Sequence, residues 1–220
     1  MPPKANQSAR AEATLHAAGG RPTLICIHSW ATGMFWLQRW AFWVRYFVRM
    51  GVDVVLFIQP FHGSRTPRQA RFGGEFFPGT DPRRTNEAFG QTIWDLRSLI
   101  QHLKARGSGP IGAMGMSLGG YCTALLASVE PELHFAIPMI PLVSLADLMW
   151  EHGEGRPARV EAEARGITLD RMRQLYAVHS PLKHRPLVPR SRRLIVAGTG
   201  DRITPAHHVS QLWTHWDRPQ

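Results

Sequence analysis

The sequence has only two cysteines, Cys26 and Cys122. Each lies in an apolar segment, and two such thiols do not make the disulfide framework of a small secreted domain. Buried thiols are typical of proteins in a reducing compartment, so we expect a cytoplasmic protein. A disulfide between the two cysteines is the alternative.

Long apolar runs are missing as well. No stretch reaches the roughly 18 apolar residues of a membrane-spanning helix. The nearest candidate, residues 34–50, is interrupted by three arginines, and the N-terminus lacks the apolar segment of a secretory signal. The sequence therefore predicts no stable membrane insertion.

Acidic residues are scarce: 16 aspartates and glutamates against 26 lysines and arginines give a net charge of +10. The basic residues, nearly all arginine, are scattered, with no run of five like charges, no zinc-finger spacing and no RNA-binding aromatic motif. We therefore expect no nucleic-acid partner and no metal site. A basic surface for nucleic acid or an anionic membrane is the alternative.

Apolar, strand-like segments alternate with helix-prone segments along the chain. Strands are expected at residues 11–17, 22–28, 52–58, 110–116, 135–143 and 194–197. Helices are expected at residues 34–50, from a cap at Thr85 or Asn86 to Gly107, and at residues 118–129, 157–165, 169–178 and 205–216. This order predicts an α/β fold with a mostly parallel, doubly wound sheet and helices on both faces.

Composition divides the chain into four parts. Residues 1–20 are weakly structured, residues 21–143 form the core, residues 144–190 are a charged helical cap over one end of the sheet, and residues 191–220 return to the core. Within the core, residues 61–84 form a long loop rich in glycine, proline and arginine. Loops of that length are usually functional or mobile.

A G-x-S-x-G motif is centred on Ser117. An apolar run precedes it and a helix rich in alanine and leucine follows, which predicts the strand–turn–helix of a nucleophile elbow. Gly115 and Gly119 leave room where strand and helix approach, and the Leu118 amide at the positive end of the helix faces the oxyanion. The alternative is a glycine-rich turn that only packs strand against helix.

With these features the chain resembles the α/β-hydrolase superfamily over residues 22–216. Within it, the chain is similar to a bacterial branch distantly related to eukaryotic α/β-hydrolase domain-containing protein type 18. That narrower likeness is carried by Phe35-Trp36-Leu37, Pro60-Phe61-His62-Gly63, the elbow extended to Gly120, and His179-Ser180-Pro181-Leu182. The resemblance implies the α/β-hydrolase fold and a triad in the chain order serine, acid, histidine.

The resemblance also implies roles for the loop after residues 22–28. In the superfamily this loop usually begins His-Gly-x, and the amide of the third residue donates to the oxyanion; by position that donor is the Trp30 amide. Ser29 replaces the usual glycine, so its side chain narrows the pocket or adds a donor. His28 supports the loop in this reading, with a role as catalytic base as the minor alternative, and His62 is placed to line the same site.

Asp201 resembles the acid of the superfamily, which orients and stabilises the catalytic imidazole. A helix-capping role is the alternative for Asp201, and Asp147 is the reserve acid. The superfamily's histidine follows one more strand, so we expect that strand and the histidine loop to be missing, beyond Gln220. The histidines after Asp201 lie too early for this role, and we expect them on the solvated face of the last helix: His207, His208 and His215.

The sequence thus predicts a serine hydrolase that cleaves a small-molecule ester or related acyl substrate through an acyl-serine intermediate, with no cofactor. Without its histidine the chain is expected to be nearly inactive, since loss of the base costs a factor of order 10⁶ in turnover. The alternatives are a non-catalytic binding or partner module on the same fold, or an acyltransferase. The oligomeric state is not predicted.

Two segments bear on the substrate. Residues 34–50 carry seven aromatic side chains; packing in the core under the cap is the first interpretation, and an apolar acyl pocket is the second. Arginines of the long loop favour an acidic substrate in one reading and are simply solvated in the other. The three arginines considered are Arg71, Arg83 and Arg84.

Overall fold

Five strands form one sheet in the computed structural model, which describes residues 4–220. They are β1 (Arg10–Thr14), β2 (Thr23–Ile27), β3 (Asp53–Ile58), β4 (Ile111–Met116) and β5 (Phe135–Met139). The sheet order is β1-β3-β2-β4-β5, and only β1 runs antiparallel to its neighbour. The carboxyl ends of β2 and β4 therefore lie side by side, where ligands bind in open α/β sheets.

Eight α-helices connect and cover the strands within residues 4–220. They are α1 (Phe35–Ala41), α2 (Val44–Arg49), α3 (Pro82–Ala105), α4 (Leu118–Val129), α5 (Leu145–His152), α6 (Pro157–Ala164), α7 (Leu169–Leu175) and α8 (Ala206–His215). The prediction of α4 was correct at both ends. The predicted cap of α3 was wrong: the helix begins one turn earlier, where the Asp81 side chain accepts a hydrogen bond from the Arg84 amide.

Apolar side chains cover both faces of the sheet, which explains the continuous apolar runs in the sequence. Along β2, Ile25 and Ile27 belong to the cluster that contains α3 and α4, whereas Leu24 and Cys26 pack with residues of α1 and α2. Helices on both faces are thereby confirmed. Cys26 and Cys122 are buried free thiols, so the disulfide alternative was wrong.

The single helix predicted for residues 34–50 was wrong. Trp43 has a φ of 49°, in the left-handed region, and it separates α1 from α2. The expectation that this aromatic segment is mostly core was also wrong, because Trp36, Trp40 and Trp43 are 70%, 76% and 68% exposed. Only one side of the segment packs on the sheet, through residues such as Phe42.

The last predicted strand is reduced to a short pairing with β5. The Leu194 and Val196 amides donate to the carbonyls of Ala136 and Pro138, each at 3.1 Å. The helix predicted for residues 169–178 ends at Leu175. No helix within residues 4–220 combines the length and the apolar character needed to cross a membrane.

Candidate active site

The G-x-S-x-G motif forms a sharp turn between β4 and α4. Ser117 has φ 54° and ψ −111°, and conformations of this kind cost a non-glycine residue about 1–3 kcal/mol. Its amide donates to the Met139 carbonyl, 2.9 Å away at the end of β5. The strand–turn–helix predicted around this serine is therefore present, and the neighbouring strand holds the turn in place.

Two glycines let α4 lie close to the strands. A Cβ on Gly119 would lie under 3.0 Å from the carbonyl groups of Ile27 and His28, and a Cβ on Gly115 would lie equally close to the Gly119 carbonyl. Neither glycine has a positive φ, so the lack of space alone requires glycine here. This close approach brings the end of β2 beside the turn that carries Ser117.

The two predicted oxyanion donors lie on either side of this contact. Leu118 is the first residue of α4, so no carbonyl within that helix accepts a hydrogen bond from its backbone N–H. Trp30 lies in the loop after β2, where its indole Nε1 donates to the Gly74 carbonyl at 2.9 Å. That bond ties the loop to the connection between β3 and α3, although Trp30 remains 48% exposed.

Both ring nitrogens of His28 are occupied. Its Nε2 lies 3.1 Å from the Gln59 amide and must accept that hydrogen, so Nδ1 carries the ring proton and donates to the Ser29 carbonyl at 2.7 Å. Burial and the neighbouring His62 lower the pKa of His28 to about 3. These bonds suit support of the loop and leave no nitrogen free to act as a base.

His62 is buried behind the same loop. Its ring lies 5.0 Å from that of His28, and its Nδ1 is 2.8 Å from the Pro60 carbonyl. Burial lowers the pKa of His62 to about 4. Its Nε2 has no hydrogen-bond partner in the part of the chain that the structure describes.

A cavity of about 120 Å³ lies beside the elbow, between α1 and the carboxyl ends of β2 and β4. Gln38 in its wall is 2% exposed, and neither amide atom of its side chain has a partner within residues 4–220. The inner face of α1 thus lines this cavity, and its use as an acyl pocket stays a prediction. The lining residues are His28, Ser29, Thr32, Leu37, Gln38, Ala41, Phe42 and Met116.

Asp201 lies in the turn before α8. One of its carboxylate oxygens accepts hydrogen bonds from the Ile203 and Thr204 amides at 2.8 and 2.9 Å. These amides precede α8, which begins at Ala206 without a side-chain cap, so the helix-capping alternative was wrong. The chain leading to Asp201 is anchored near the elbow, since the Ile140 amide, next to Met139, donates to the Val196 carbonyl at 2.7 Å. Its other carboxylate oxygen has no hydrogen-bond partner within residues 4–220.

The reserve acid Asp147 is paired with Arg173 and Ser144. It accepts hydrogen bonds from the Arg173 guanidinium, one of them at 3.0 Å, and bonds to the Ser144 hydroxyl. Burial acts to raise the pKa of Asp147, but the Arg173 and Ser144 hydrogen bonds outweigh it and lower that pKa. Asp147 therefore holds α5 to α7 and does not orient an imidazole.

None of the eleven histidines of the chain, all within residues 4–220, hydrogen-bonds to Ser117. The expectation that the late histidines are solvated was wrong for His208, which is fully buried with its Nε2 3.2 Å from Glu151. His215 is half-buried, with its Nε2 3.0 Å from the His184 carbonyl. The described residues thus present a serine without a neighbouring imidazole.

Comparison with known proteins identifies the family. The model of the family "Alpha/beta hydrolase domain containing 18" matches residues 1–156, which include all five strands, the elbow and α5. The chain belongs to the alpha/beta hydrolase domain containing 18 family. The resemblance and the α/β-hydrolase fold predicted from the sequence are both confirmed.

Longer relatives exist in Mycobacterium tuberculosis. Two uncharacterized proteins, from two strains, are each 33% identical to this family member over 204 residues. The alignment covers 91% of this chain and 48% of each relative. The chain thus spans about half the length of the curated relatives it matches.

Solved structures share the fold. An acetyl xylan esterase from a Paenibacillus species has a TM-score of 0.69 at 16% identity, covering 96% of this chain and 71% of that one. Acetyl xylan esterase 1 from a Thermoanaerobacterium species gives 0.66 at 16% identity, with 96% and 69% covered. A monoacylglycerol lipase from Paleococcus ferrophilus gives 0.57 at 15%, with 95% and 84% covered. At such identities the likeness shows the fold alone.

Four of the five arginines in the loop and helix start after β3 have partners. Arg71 and Arg83 bond to the glutamates four residues later, at 2.6 and 3.0 Å. Arg84 lies over the Phe76 ring. Arg65 is fully buried and bonds to Asp95 at 2.8 Å. Because these four cations already have partners, their contacts do not support the acidic-substrate interpretation.

Sequence reasoning missed a buried network behind the elbow. The Tyr121 hydroxyl lies 2.7 Å from Nδ1 of His179, whose Nε2 lies 3.0 Å from the Asn86 side-chain oxygen. Phe89 stacks on the imidazole at 4.1 Å. The network joins α4, α3 and the turn after α7, and its only sequence signal was the family-like segment that begins at His179.

We expect the free energy of unfolding to fall as the pH decreases from 7 to 5. Burial lowers the pKa of His28, His62 and His179 to about 3, 4 and 4. The stability they confer is complete above the unfolded pKa of about 6.5 and is lost as the pH falls toward these folded values. Uptake of three protons on unfolding gives a slope of up to about 4 kcal/mol per pH unit.

Urea titrations at pH 7, 6 and 5 measure this slope. His28→Gln should reduce it by about one proton's share. His102→Gln, at an exposed position on α3, should leave it unchanged. An unfolding free energy independent of pH over this range contradicts the neutral, buried state of the three imidazoles.

Proposed function

We propose that this protein is the nucleophile-bearing part of a serine hydrolase that cleaves a carboxylic ester or related acyl bond. The Ser117 hydroxyl attacks the acyl carbonyl, and the alcohol leaves with a proton while the acyl group stays on the serine. Water then releases the acid and restores the serine. The observation that carries this proposal is the strained backbone of Ser117, which directly follows Met116 in the wall of a small apolar cavity.

The backbone amides of Leu118 and Trp30 are the proposed donors to the oxyanion. A single such donor is worth a factor of about 10²–10³ in rate. Asp201 is the proposed acid, using the carboxylate oxygen that the turn before α8 leaves without a partner. The imidazole between Asp201 and Ser117 is not one of the histidines present, so we expect slow turnover by this chain on its own.

The test is labelling with a fluorophosphonate probe, which modifies nucleophilic serines of hydrolases. We expect slow but stoichiometric labelling of Ser117 and none in Ser117→Ala. The matched control is Ser180→Ala, a half-buried serine after α7 and outside the elbow, in which Ser117 should label normally. Absence of labelling at Ser117 after long incubation supports the second candidate, a binding module on this fold, which the missing imidazole favours.

The pocket size predicts a short acyl group. We propose that the cavity of about 120 Å³ holds the acyl group and favours a short one, so we expect acylation by p-nitrophenyl acetate to exceed acylation by the octanoate at least about tenfold. Gln38→Ala enlarges the cavity and should lower the ratio of the acetate rate to the octanoate rate. Gln101→Ala, exposed on α3, should not change it, and equal rates for both esters contradict the assignment of the pocket.

A further inference from the structure

A cluster of three side chains lies between the cap and α8, outside the elbow. Glu151 comes from the last turn of α5, and His207 and His208 come from the first turn of α8. Their ligand atoms all lie within 4.8 Å of one another. Each imidazole directs its Nε2 to a different oxygen of Glu151, at 3.1 and 3.2 Å.

We propose that these three residues bind one divalent transition-metal ion of the zinc class. Two imidazole nitrogens and one carboxylate oxygen suit Zn²⁺ and Co²⁺, and such ions take a water molecule as fourth ligand when a protein supplies three. Because both Nε2 atoms already point at the carboxylate, modest side-chain movement brings all three ligand atoms to the usual distance of about 2.0–2.2 Å from an ion.

The burial of the cluster fits a binding site better than a surface ion pair. His208 is fully buried with its Nε2 aimed at the cluster, while Glu151 and His207 are exposed, so one ligand is fixed and an ion can enter from solvent. The Nδ1 of His208 has no hydrogen-bond partner within residues 4–220. Such outer bonds change metal affinity about 10- to 100-fold, so we expect binding weaker than in a structural zinc site.

The position of the cluster gives the ion a role. His152, next to Glu151, has its Nε2 2.8 Å from the Ile203 carbonyl, and the Ile203 amide bonds to Asp201. An ion that joins α5 to α8 therefore fastens the cap to the turn that carries Asp201. This role rests on the proposed function; the binding site itself does not.

The test adds Co²⁺ or Zn²⁺ alone to metal-free protein that carries no histidine tag. We expect one Co²⁺ per chain, seen by its visible absorption, and displacement of that ion by Zn²⁺. His207→Ala and Glu151→Gln should each weaken binding at least about tenfold. His102→Ala, a matched exposed histidine on α3, should leave affinity unchanged.

A second measurement distinguishes loss of the metal site from loss of the fold. The unfolding midpoint should rise with Zn²⁺ in the wild type and in Ser117→Ala, but not in His207→Ala. Metal binding by Ser117→Ala separates this proposal from the hydrolase proposal. The proposal is overturned if no Co²⁺ binds at millimolar concentration, or if His207→Ala and His102→Ala bind it equally well.

Discussion

Free imidazole is expected to speed fluorophosphonate labelling of Ser117 in this chain by about 10- to 100-fold. A positioned general base contributes about 10²–10⁴ to such a reaction, and a dissolved base recovers only part of that. The reason to expect rescue is geometric: ten of the eleven histidines hydrogen-bond to other groups, and His102 is exposed on α3. No histidine of the described residues is thus in position to accept the proton of the Ser117 hydroxyl.

The labelling rate should follow the concentration of neutral imidazole, measured at several pH values and at constant ionic strength. Ser117→Ala should remain unlabelled at every imidazole concentration. Fast labelling of Ser117 that does not depend on imidazole contradicts this account, because it requires one of the present histidines to reach the serine. His28→Gln then tests the histidine whose backbone carbonyl lies beside Gly119 of the elbow.

Gly119→Ala is expected to lower the free energy of unfolding by about 3 kcal/mol or more. The added Cβ would lie under 3.0 Å from backbone carbonyls at the end of β2, and neither strand nor helix can shift without breaking the sheet or displacing Ser117. Overpacking against side chains alone costs about 1–3 kcal/mol. A clash with backbone atoms that cannot move should therefore cost about 3 kcal/mol or more in free energy of unfolding.

Gly90→Ala is the matched control for this substitution. Gly90 lies within α3 and is exposed, and a Cβ added to it would meet no atom within 4 Å. Alanine there should raise stability by about 0.5–1 kcal/mol, because glycine inside a helix is unfavourable by that amount. Urea unfolding followed by circular dichroism measures both; equal stability of the two variants refutes the close approach at the elbow.

Much of the fold was predictable because local signals agree with the tertiary structure. The run before Ser117, its flanking glycines and the alanine- and leucine-rich segment after it specify the elbow and both ends of α4 without help from distant residues. The parallel strands were equally predictable, since burial on both faces requires continuous apolar runs.

The features that were not predicted depend on contacts between residues far apart in the sequence. The break at Trp43 separates two short helices within a segment whose sequence favours one continuous helix. Glu151 meets His207 only after the chain has folded, because the two lie 56 positions apart. The burial of Arg65 follows from a bond to Asp95 on α3. In each case tertiary packing overrides or supplements what composition indicates.

The most direct test of the central claim is to trap the acyl group on the protein. Deacylation also needs the base, so a chain without it should accumulate acetyl-Ser117 when incubated with p-nitrophenyl acetate. We predict a gain of one acetyl group, located by peptide mass spectrometry on the fragment that contains Ser117 and absent from Ser117→Ala. Acetylation only at lysines or histidines, with Ser117 unmodified, would contradict the account.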